Sequence, residues 1–380
     1  MNLVRNIFIF CLIFNVSNAQ VSSNGTIDTI QSIPSQKLHP TILPAIGYSL
    51  HTNWAAAINY NLGFYNGKLQ DSDNKISSIN SSVTYTFNKQ IIFPFQANIW
   101  SKNKKYNFIT DLRYLQYPSL TFGLGSRSSI DNGYSLDYNY IKLHQTVSRA
   151  IANHLYAGVG VFYDYYWNIE EIDKPNTGTT SFERYGFSTK EKAVGMALKL
   201  LYDSRLNQIT PTNGWFGNIL YRPNFTILGS DNNWQSILIE ARRYIPFPKK
   251  SNNILAIWSY NSFVLSGKPP YLFLPSTGWD DFYNTGRGYI QGRYRGRNMM
   301  YLESEYRFNV TRNKRWGGVV FINAQSFSKD IKSELRVITP GYGAGVRFKI
   351  NKHTGTNVCI DYGFGNDGSK GIFVNLGEVF

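Results

Sequence analysis

The sequence predicts an all-β protein, namely a transmembrane antiparallel β-barrel of the outer membrane with about 16 strands. Through the body of the chain, apolar residues alternate with small or polar residues at a period of two, which is typical of strands between two environments. The alternating segments are about ten residues long, as tilted membrane-spanning strands are. Aromatic residues make up 16% of the chain and gather at strand ends, as in residues 163–167, where the girdles of such barrels lie.

The composition excludes several other classes of protein. The 380 residues contain no run of about 20 apolar residues, so the chain is not a helical membrane protein. Its 60 aromatic residues exclude a disordered chain, and its two cysteines, Cys11 and Cys359, exclude a disulfide scaffold. The formal net charge of +15 comes without a nucleic-acid recognition motif, so basic loop residues are expected to meet acidic lipopolysaccharide instead.

The N-terminal residues are typical of a secretory signal peptide. Arg5 precedes an apolar run over residues 7–14, which is too short to span a bilayer, and small residues follow before a cleavage site. Residues 1–19 are therefore predicted to be a cleaved signal peptide of a bacterial outer-membrane protein. Residues 20–40 are predicted to be a short periplasmic lead-in, and residues 41–380 the barrel domain.

The alternation beyond the lead-in predicts sixteen strands. In the segment 154–168, for example, Leu155 and Val161 share one face, whereas Gly158 and Asp164 share the other. An even number of strands is what a single-chain barrel with its N-terminus in the periplasm requires. The predicted strands span approximately residues 45–65, 76–87, 90–101, 105–114, 119–127, 134–148, 154–168, 187–204, 213–225, 232–244, 252–265, 297–308, 315–327, 340–350, 355–364 and 370–380.

The connections between these strands predict which end faces which side of the membrane. Connections after even-numbered strands, such as 88–89 and 206–212, are predicted to be short periplasmic turns. Connections after odd-numbered strands include the long ones, such as 66–75 and 266–296, and are predicted to be extracellular loops.

The most specific motif lies in the longest loop, where glycine and arginine recur in the sequence GRGYIQGRYRG over residues 286–296. A guanidinium in a barrel lumen can hold carboxylates through charge-assisted hydrogen bonds, and glycine lets the backbone approach the wall closely. The other interpretation is a glycine-rich basic surface loop that binds nothing in particular.

This segment resembles the outer-membrane assembly factors of the BamA/TamA type, also called bacterial surface antigens. That family carries an Arg-Gly-Phe/Tyr triplet in the loop between its eleventh and twelfth strands, and the loop folds back into the lumen. The matching residues here are Arg287, Gly288 and Tyr289, and Arg293 belongs to the same lumenal-loop motif.

The resemblance also implies partners for Arg287 on the barrel wall. Alternation on the predicted twelfth strand turns Glu303 and Glu305 into the lumen, and Glu305 matches the lumenal glutamate of the family. Where the family has an aspartate on the thirteenth strand, this sequence has Asn323, which can accept a hydrogen bond but brings no charge. Glu305 is therefore expected to be the main partner and Asn323 an uncharged one.

The C-terminal residues 376–380 resemble the last strand of the family, so Gly377 and Phe380 are expected to form a terminal-strand signal read by the assembly machinery of the cell. Family members with known assembly roles carry POTRA domains of about 75 residues before the barrel. The lead-in 20–40 is too short for one, so a barrel-only member is expected.

The resemblance implies a non-enzymatic protein that assists insertion or translocation of proteins or lipids at the outer membrane, without cofactor or metal. The expected partners are outer-membrane lipids, lipopolysaccharide, client proteins or lipids and a separate periplasmic partner, but no nucleic acid. The alternative is a passive or plugged transport channel or a structural outer-membrane protein. A third option, a barrel lipase, rests on His144 and Ser148, which share one face of a predicted strand; an ordinary polar lumen face is the favoured interpretation.

Overall fold

The structure is a computed structural model that describes residues 39–49, 53–66, 75–87, 89–174, 178–330, 335, 337–352 and 354–380. The predicted signal peptide and nearly all of the predicted lead-in lie outside the described residues. The first strand begins at His39, slightly before the predicted start of the barrel domain at residue 41.

Sixteen antiparallel strands form one sheet, in which each strand pairs with its neighbours in chain order, as the sequence predicts. Neighbouring strands are joined by direct connections, so all connections after even-numbered strands lie at one end of the barrel and the others lie at the opposite end. The strands are β1 (His39–Ser49), β2 (Asn53–Tyr65), β3 (Ile76–Thr86), β4 (Ile91–Trp100), β5 (Tyr106–Thr121), β6 (Tyr134–Ala152), β7 (Leu155–Ile172), β8 (Lys190–Asp203), β9 (Gly214–Asn224), β10 (Trp234–Pro246), β11 (Ile254–Gly267), β12 (Asn298–Asn309), β13 (Trp316–Ser328), β14 (Thr339–Lys349), β15 (Asn357–Gly365) and β16 (Lys370–Leu376).

Among the described residues, helical structure is confined to short connecting segments. The helix α1 (Ser181–Gly186) begins with a capping box between Thr180 and Glu183. Single 3-10 turns lie at Lys102–Lys104, Ile130–Asn132, Thr226–Leu228 and Tyr271–Phe273. Within the described parts of the chain, no helix has the length and the apolar character needed to cross a membrane.

The predicted number of strands is right, although two errors in the predicted boundaries cancel. One predicted strand is two strands in the structure, and two predicted strands are one. The predicted strand 45–65 is two paired strands, β1 and β2, because the sequence between them has no glycine or proline to mark a turn. The predicted strands 105–114 and 119–127 are one continuous strand, β5, which runs through Pro118. The pairing of β4 with β5 ends at Gln116, so Pro118 lies where β5 pairs with β6 alone, a position at which a strand tolerates proline more readily.

These boundaries change the side on which three connections lie, one of which is 101–105, which follows β4 and therefore lies at the even-side end. The connection 66–75 follows β2 and lies at the even-side end, whereas 87–90 follows β3 and lies at the odd-side end. The predictions that 66–75 is an extracellular loop and 88–89 a periplasmic turn are therefore wrong. From β6 onward the predicted sides agree with the strand order.

The two faces of the sheet have opposite character. Along β7, Val159 and Val161 are more than half exposed, whereas Asp164 on the other face is buried. Along β12, Leu302 is exposed and its neighbour Glu303 is fully buried. An apolar outer surface around a polar interior is the pattern of a barrel in lipid, since its lumen takes the polar residues.

The last residues leave the sheet, contrary to the predicted strand 370–380. β16 ends at Leu376, and Gly377 turns the chain with a φ of +94°. The terminal segment, residues 377–380, then lies in the lumen, where the ring of Phe380 packs against Trp258 with ring centroids 5.2 Å apart. The buried thiol of Cys359 on β15 donates to the carbonyl oxygen of Gly377 at 3.0 Å. Alternation alone cannot show this turn, because it continues unchanged through the terminal residues.

A buried lysine at the even-side end makes barrel stability depend on pH. Burial lowers the pKa of Lys75 to about 8, although the carboxylate of Asp203, 3.6 Å away, opposes this shift. An unfolded lysine keeps its proton to about pH 10.4, so the unfolded state binds more protons between about pH 8 and 10.4. We therefore expect the free energy of unfolding to rise with pH across this window. Urea unfolding in detergent micelles at several pH values measures this free energy. In a Lys75→Met variant, the free energy of unfolding should rise less steeply between about pH 8 and 10.4. Equal pH dependence in both proteins would contradict the role of Lys75.

Candidate functional site in the barrel lumen

The connection between β11 and β12, residues 268–297, is called here the lumenal loop. It folds into the barrel, since its side chains Tyr271, Arg287 and Tyr294 are all at most 1% exposed. Its first part is held by Glu191 of β8, whose buried carboxylate accepts hydrogen bonds from the backbone N–H groups of Tyr271 and Leu272 at 3.1 and 2.9 Å. The loop therefore reaches across the lumen from the strands that bound it.

Arg287 lies at the centre of the contact between the lumenal loop and the wall. Its Nη2 lies 2.5 Å from an oxygen of Glu303 and also bonds Glu305, both on β12, and its Nη1 lies 2.6 Å from Asp361 on β15. Its guanidinium also stacks on the ring of Phe321 at 3.8 Å. One fully buried cation thus connects three carboxylates on two strands, a geometry that suits the planar fork of donors on an arginine.

Gly288 and Tyr289 fit the loop backbone against the wall. Gly288 has a φ of +106°, and a Cβ atom added to it would lie 2.4 Å from the carbonyl oxygen of Phe364 on β15. The hydroxyl of Tyr289 accepts a hydrogen bond from the backbone N–H of Asn366 at 3.0 Å and donates to the carbonyl of Pro340. The triplet therefore supplies a charge, a close backbone approach and a ring that spans β14 and the β15–β16 connection.

The structure places the other predicted site residues at separate positions. Asn323 on β13 donates from Nδ2 to the carbonyl oxygen of Arg287 at 2.9 Å, so it contacts the backbone of the triplet. Arg293 is buried but lies away from Glu305: it donates to the carbonyl of Ser128 at 2.9 Å and to Asp367 at 3.1 Å. Arg293 thus connects the lumenal loop to two odd-side connections.

A second layer of charges surrounds the carboxylates that Arg287 meets. Arg307 lies 2.7 Å from Glu305, and Arg347 bonds Asp361. Both arginines also approach Glu378 of the terminal segment, at 3.6 Å from Arg307 and 3.0 Å from Arg347. The lumenal loop and the terminal segment therefore share one network of alternating charges.

The terminal segment has further anchors in the lumen. Arg307 donates to the carbonyl oxygen of Phe380 at 3.0 Å, and Asn284 of the lumenal loop donates to that of Val379 at 2.7 Å. The pKa of Glu378 lies below its usual range because, although burial raises it, the charges of Arg347 and Arg307 outweigh that effect. Gly377 and Phe380, predicted as parts of a strand signal, thus lie next to the same network as Arg287.

The tip of the lumenal loop is tied to the opposite wall. Asp281 lies 3.1 Å from Lys142 of β6, which in turn lies 2.6 Å from Asp111 of β5. Gln96 of β4 donates to the backbone carbonyl of Asp281 at 2.8 Å. Burial opposes ionisation of Asp281, but Lys142 and Arg113 outweigh it and hold the pKa of that carboxyl below its usual range. The loop is therefore anchored both near β12–β15 and near β4–β6.

The sequence reasoning missed several of these residues. Asp361 and Arg347 both lie on the polar faces of alternating strands, so alternation places them in the lumen but does not pair them with Arg287 or Glu378. Arg295, which donates to the carbonyl oxygens of Tyr271 and neighbouring residues, belongs to the repeated glycine-arginine pattern. No local sequence signal distinguishes Glu191 from other charged residues of β8.

His144 and Ser148, the residues considered for catalysis, do not form a catalytic pair. His144 Nε2 lies 2.7 Å from Asp164, and its ring stacks on Phe162 with centroids 3.8 Å apart. Ser148 is buried without a hydrogen-bond partner for its hydroxyl among the described residues, so it is not bonded to His144. Over the same residues, no group of three or more histidine, cysteine, aspartate or glutamate side chains could hold a metal ion.

Two cavities lie beside the lumenal loop. One cavity, of about 340 Å³, is lined by β2–β5, the tip of the loop and the terminal segment, among others. The other, of about 240 Å³, is lined by residues that include Asp111, His144 and Asp164. Volumes of this order suit a small molecule. The lumen therefore contains the lumenal loop and the terminal segment, both held by buried ion pairs, and also space for small molecules beside them.

Comparison with known proteins identifies relatives of this architecture. The family model described as the Omp85 superfamily domain matches residues 46–380. Similar solved structures include BamA from Haemophilus ducreyi lacking POTRA domains 1–3, with 13% identity, a TM-score of 0.56, and coverage of 89% of this chain and 70% of that one. CdiB from Acinetobacter baumannii (14% identity, TM-score 0.55) and CdiB from Escherichia coli (9%, 0.56) are each matched over 90% of this chain and over 60% and 63% of their own lengths. No curated protein sequence matches the chain.

Replacing Arg287 should release the lumenal loop. In Arg287→Ala, three buried carboxylates lose their shared cation, and breaking a buried ion pair in this way costs about 3–5 kcal/mol. We expect lower stability to urea and rapid trypsin cleavage after Arg293 or Arg295, which are buried in the native protein. Arg127→Ala, at an exposed arginine of the β5–β6 connection, is the matched control. If both variants resist trypsin equally, Arg287 does not anchor the loop.

A pair of glycine substitutions separates backbone strain from contact with the wall. Gly178 has a φ of +86°, and a Cβ atom added to it would meet open space. Gly178→Ala should therefore lower the free energy of unfolding by about 1 kcal/mol through backbone strain alone. Gly288→Ala adds a clash with the Phe364 backbone and should cost about 3 kcal/mol or more. Urea unfolding of both variants measures the difference, and equal losses would mean that the loop does not lie this close to β15.

Proposed function

The chain belongs to the Omp85 superfamily, and from this premise we propose that it is a non-enzymatic outer-membrane barrel that assists the insertion or translocation of proteins or lipids. Its fold is similar to the BamA and CdiB barrels, which is consistent with outer-membrane assembly or translocation. The observation that carries the proposal is the buried contact of Arg287 with Glu303, Glu305 and Asp361, which holds the lumenal loop inside the barrel.

In this proposal the function depends on the fixed geometry of the lumen rather than on a chemical reaction. Arg287, Gly288 and Tyr289 fix the lumenal loop, Glu305 and Asn323 anchor it from the wall, and Arg293 connects it to the outer connections. A loop held in this way occupies the lumen beside the two cavities, so clients would be handled at the barrel wall and the lipid around it. Gly377 and Phe380 would act as a sorting signal before folding, since in the folded barrel Phe380 is buried.

The second candidate function is a passive or plugged channel. The two lumenal cavities favour it, because their linings include charged and carboxamide side chains that a small polar solute could contact. The plug is held by ion pairs and hydrogen bonds, so displacement of the lumenal loop would open a path.

The proposal also concerns location and partners. The barrel would be exported through a cleaved signal peptide and would lie among outer-membrane lipids, with lipopolysaccharide around the odd-side connections. A separate periplasmic partner would deliver clients, whether proteins or lipids. The location and partners rest on membership of the Omp85 superfamily, and the cleaved signal peptide rests on the sequence of residues 1–19.

Folding of a test barrel in liposomes distinguishes the two candidate functions. We expect liposomes that contain the full chain to accelerate folding of a urea-unfolded eight-stranded barrel, measured by its gel mobility, relative to liposomes with an unrelated passive barrel. The same preparation should show no steady, selective conductance in planar bilayers. Arg287→Ala should lose the acceleration, and Arg127→Ala should keep it. A steady selective pore without accelerated folding would support the channel instead.

A further inference from the structure

The excess positive charge of the chain is concentrated at one end of the barrel. Six even-side connections, here called the basic rim, together contain ten lysine or arginine residues and no aspartate or glutamate. The remaining even-side connection, 66–75, adds two lysines and two aspartates and is neutral. The basic rim consists of residues 101–105, 153–154, 204–213, 247–253, 310–315 and 350–356.

The opposite end carries no such excess. Apart from the lumenal loop, the odd-side connections contain seven basic and seven acidic residues. The formal charge of these connections is therefore zero. The net charge of the chain thus does not lie on the side that would face lipopolysaccharide.

Most basic side chains of the rim are available to an external partner. Eight of them are exposed, and none of the eight forms an ion pair with a carboxylate of the described residues. The acidic residues next to the rim, Asp203 and Glu378, are buried and already paired with Arg205 and Arg347. The exposed members are Lys102, Lys105, Lys249, Lys250, Arg312, Lys314, Arg315 and Lys352.

Contacts with aromatic rings place part of this charge at the level of the membrane interface. Arg315 lies over the ring of Phe348 at 5.0 Å, and Arg243, near the even-side end of β10, lies over Trp215 at 4.7 Å. Trp215 and Trp316 are 49% and 47% exposed on the outer surface at this end. Exposed tryptophan at a strand end marks the aromatic girdle, which lies at headgroup depth.

From these observations we propose that the basic rim binds the headgroups of anionic phospholipids in the leaflet at the even-side end, the periplasmic leaflet in the proposed orientation. Six of the eight exposed charges lie on the adjacent connections β10–β11, β12–β13 and β14–β15, and the other two lie on the β4–β5 connection. Headgroups are the favoured occupant because these charges lie beside the exposed tryptophans of the aromatic girdle, at the depth of the bilayer surface. The proposal does not depend on the proposed function.

The physical basis is electrostatic attraction between exposed lysine or arginine and phosphate. Near an anionic bilayer each such residue contributes modestly, and several add up to a measurable preference that salt weakens. Since apolar side chains such as Val310 and Phe247 are exposed on the same connections, these connections also have groups that can enter the acyl region.

Quenching of tryptophan fluorescence by brominated lipids tests the proposal. The full chain is folded in dioleoylphosphatidylcholine liposomes that contain either brominated phosphatidylglycerol or brominated phosphatidylcholine. We expect quenching to show a preference of about threefold or more for phosphatidylglycerol at low salt, and a loss of most of it at about 0.5 M NaCl. No preference in the native protein would overturn the proposal.

Two variants of equal charge locate the effect. The rim variant carries Lys249→Gln, Lys250→Gln, Arg312→Gln and Lys314→Gln, and the odd-side control carries Lys89→Gln, Arg127→Gln, Arg184→Gln and Lys329→Gln. We expect the rim variant to lose most of the preference and the control to keep it. Equal losses, or a rim variant that keeps the preference, would overturn the assignment and favour a net-charge effect or an acidic protein partner. If the rim variant does not fold, the salt dependence of the native protein decides.

Discussion

The structure depends on one electrostatic constraint: a fully buried guanidinium must be compensated inside the lumen. Arg287 obtains three carboxylates from β12 and β15, and each of them is bound in turn by Arg307 or Arg347, or by the hydroxyl of Tyr301. A buried ion pair adds little net stability compared with apolar packing, but loss of one partner is expensive. The network therefore acts mainly to define a single position of the lumenal loop, since any other position leaves charges unpaired.

The same constraint joins parts of the chain that are distant in sequence. Glu378 brings the terminal segment to Arg307 and Arg347, so residues 268–297 and 377–380 are held by a common set of side chains. Asn284 adds a direct hydrogen bond between the two segments. Displacement of either segment would consequently remove ion-pair partners from the side chains that hold the other segment.

The sequence predicts the repeated parts of this structure well and the exceptions poorly. Period-two alternation identifies sixteen strands because each strand separates lipid from a polar lumen, a constraint that acts on every residue. It fails at Pro118, which lies inside β5 instead of ending a strand, and at residues 50–52, where no glycine or proline separates the sequences of β1 and β2. The family resemblance of residues 287–289 implies the contact between Arg287 and Glu305, whereas Asp361 is a partner because the loop crosses to β15, which is a tertiary effect. The inward turn at Gly377 is equally hidden, since a positive φ leaves no trace in the alternation.

The hydrogen bond from the Cys359 thiol to Gly377 has a practical consequence. If the first 19 residues are removed, Cys359 is the sole cysteine in the chain, and the terminal segment covers it. The barrel thus contains an intrinsic chemical reporter: alkylation of this sulfur would record, in an otherwise unlabelled protein, how often residues 377–380 leave the lumen. Movement near the last strand could be followed in native cells without introducing a probe.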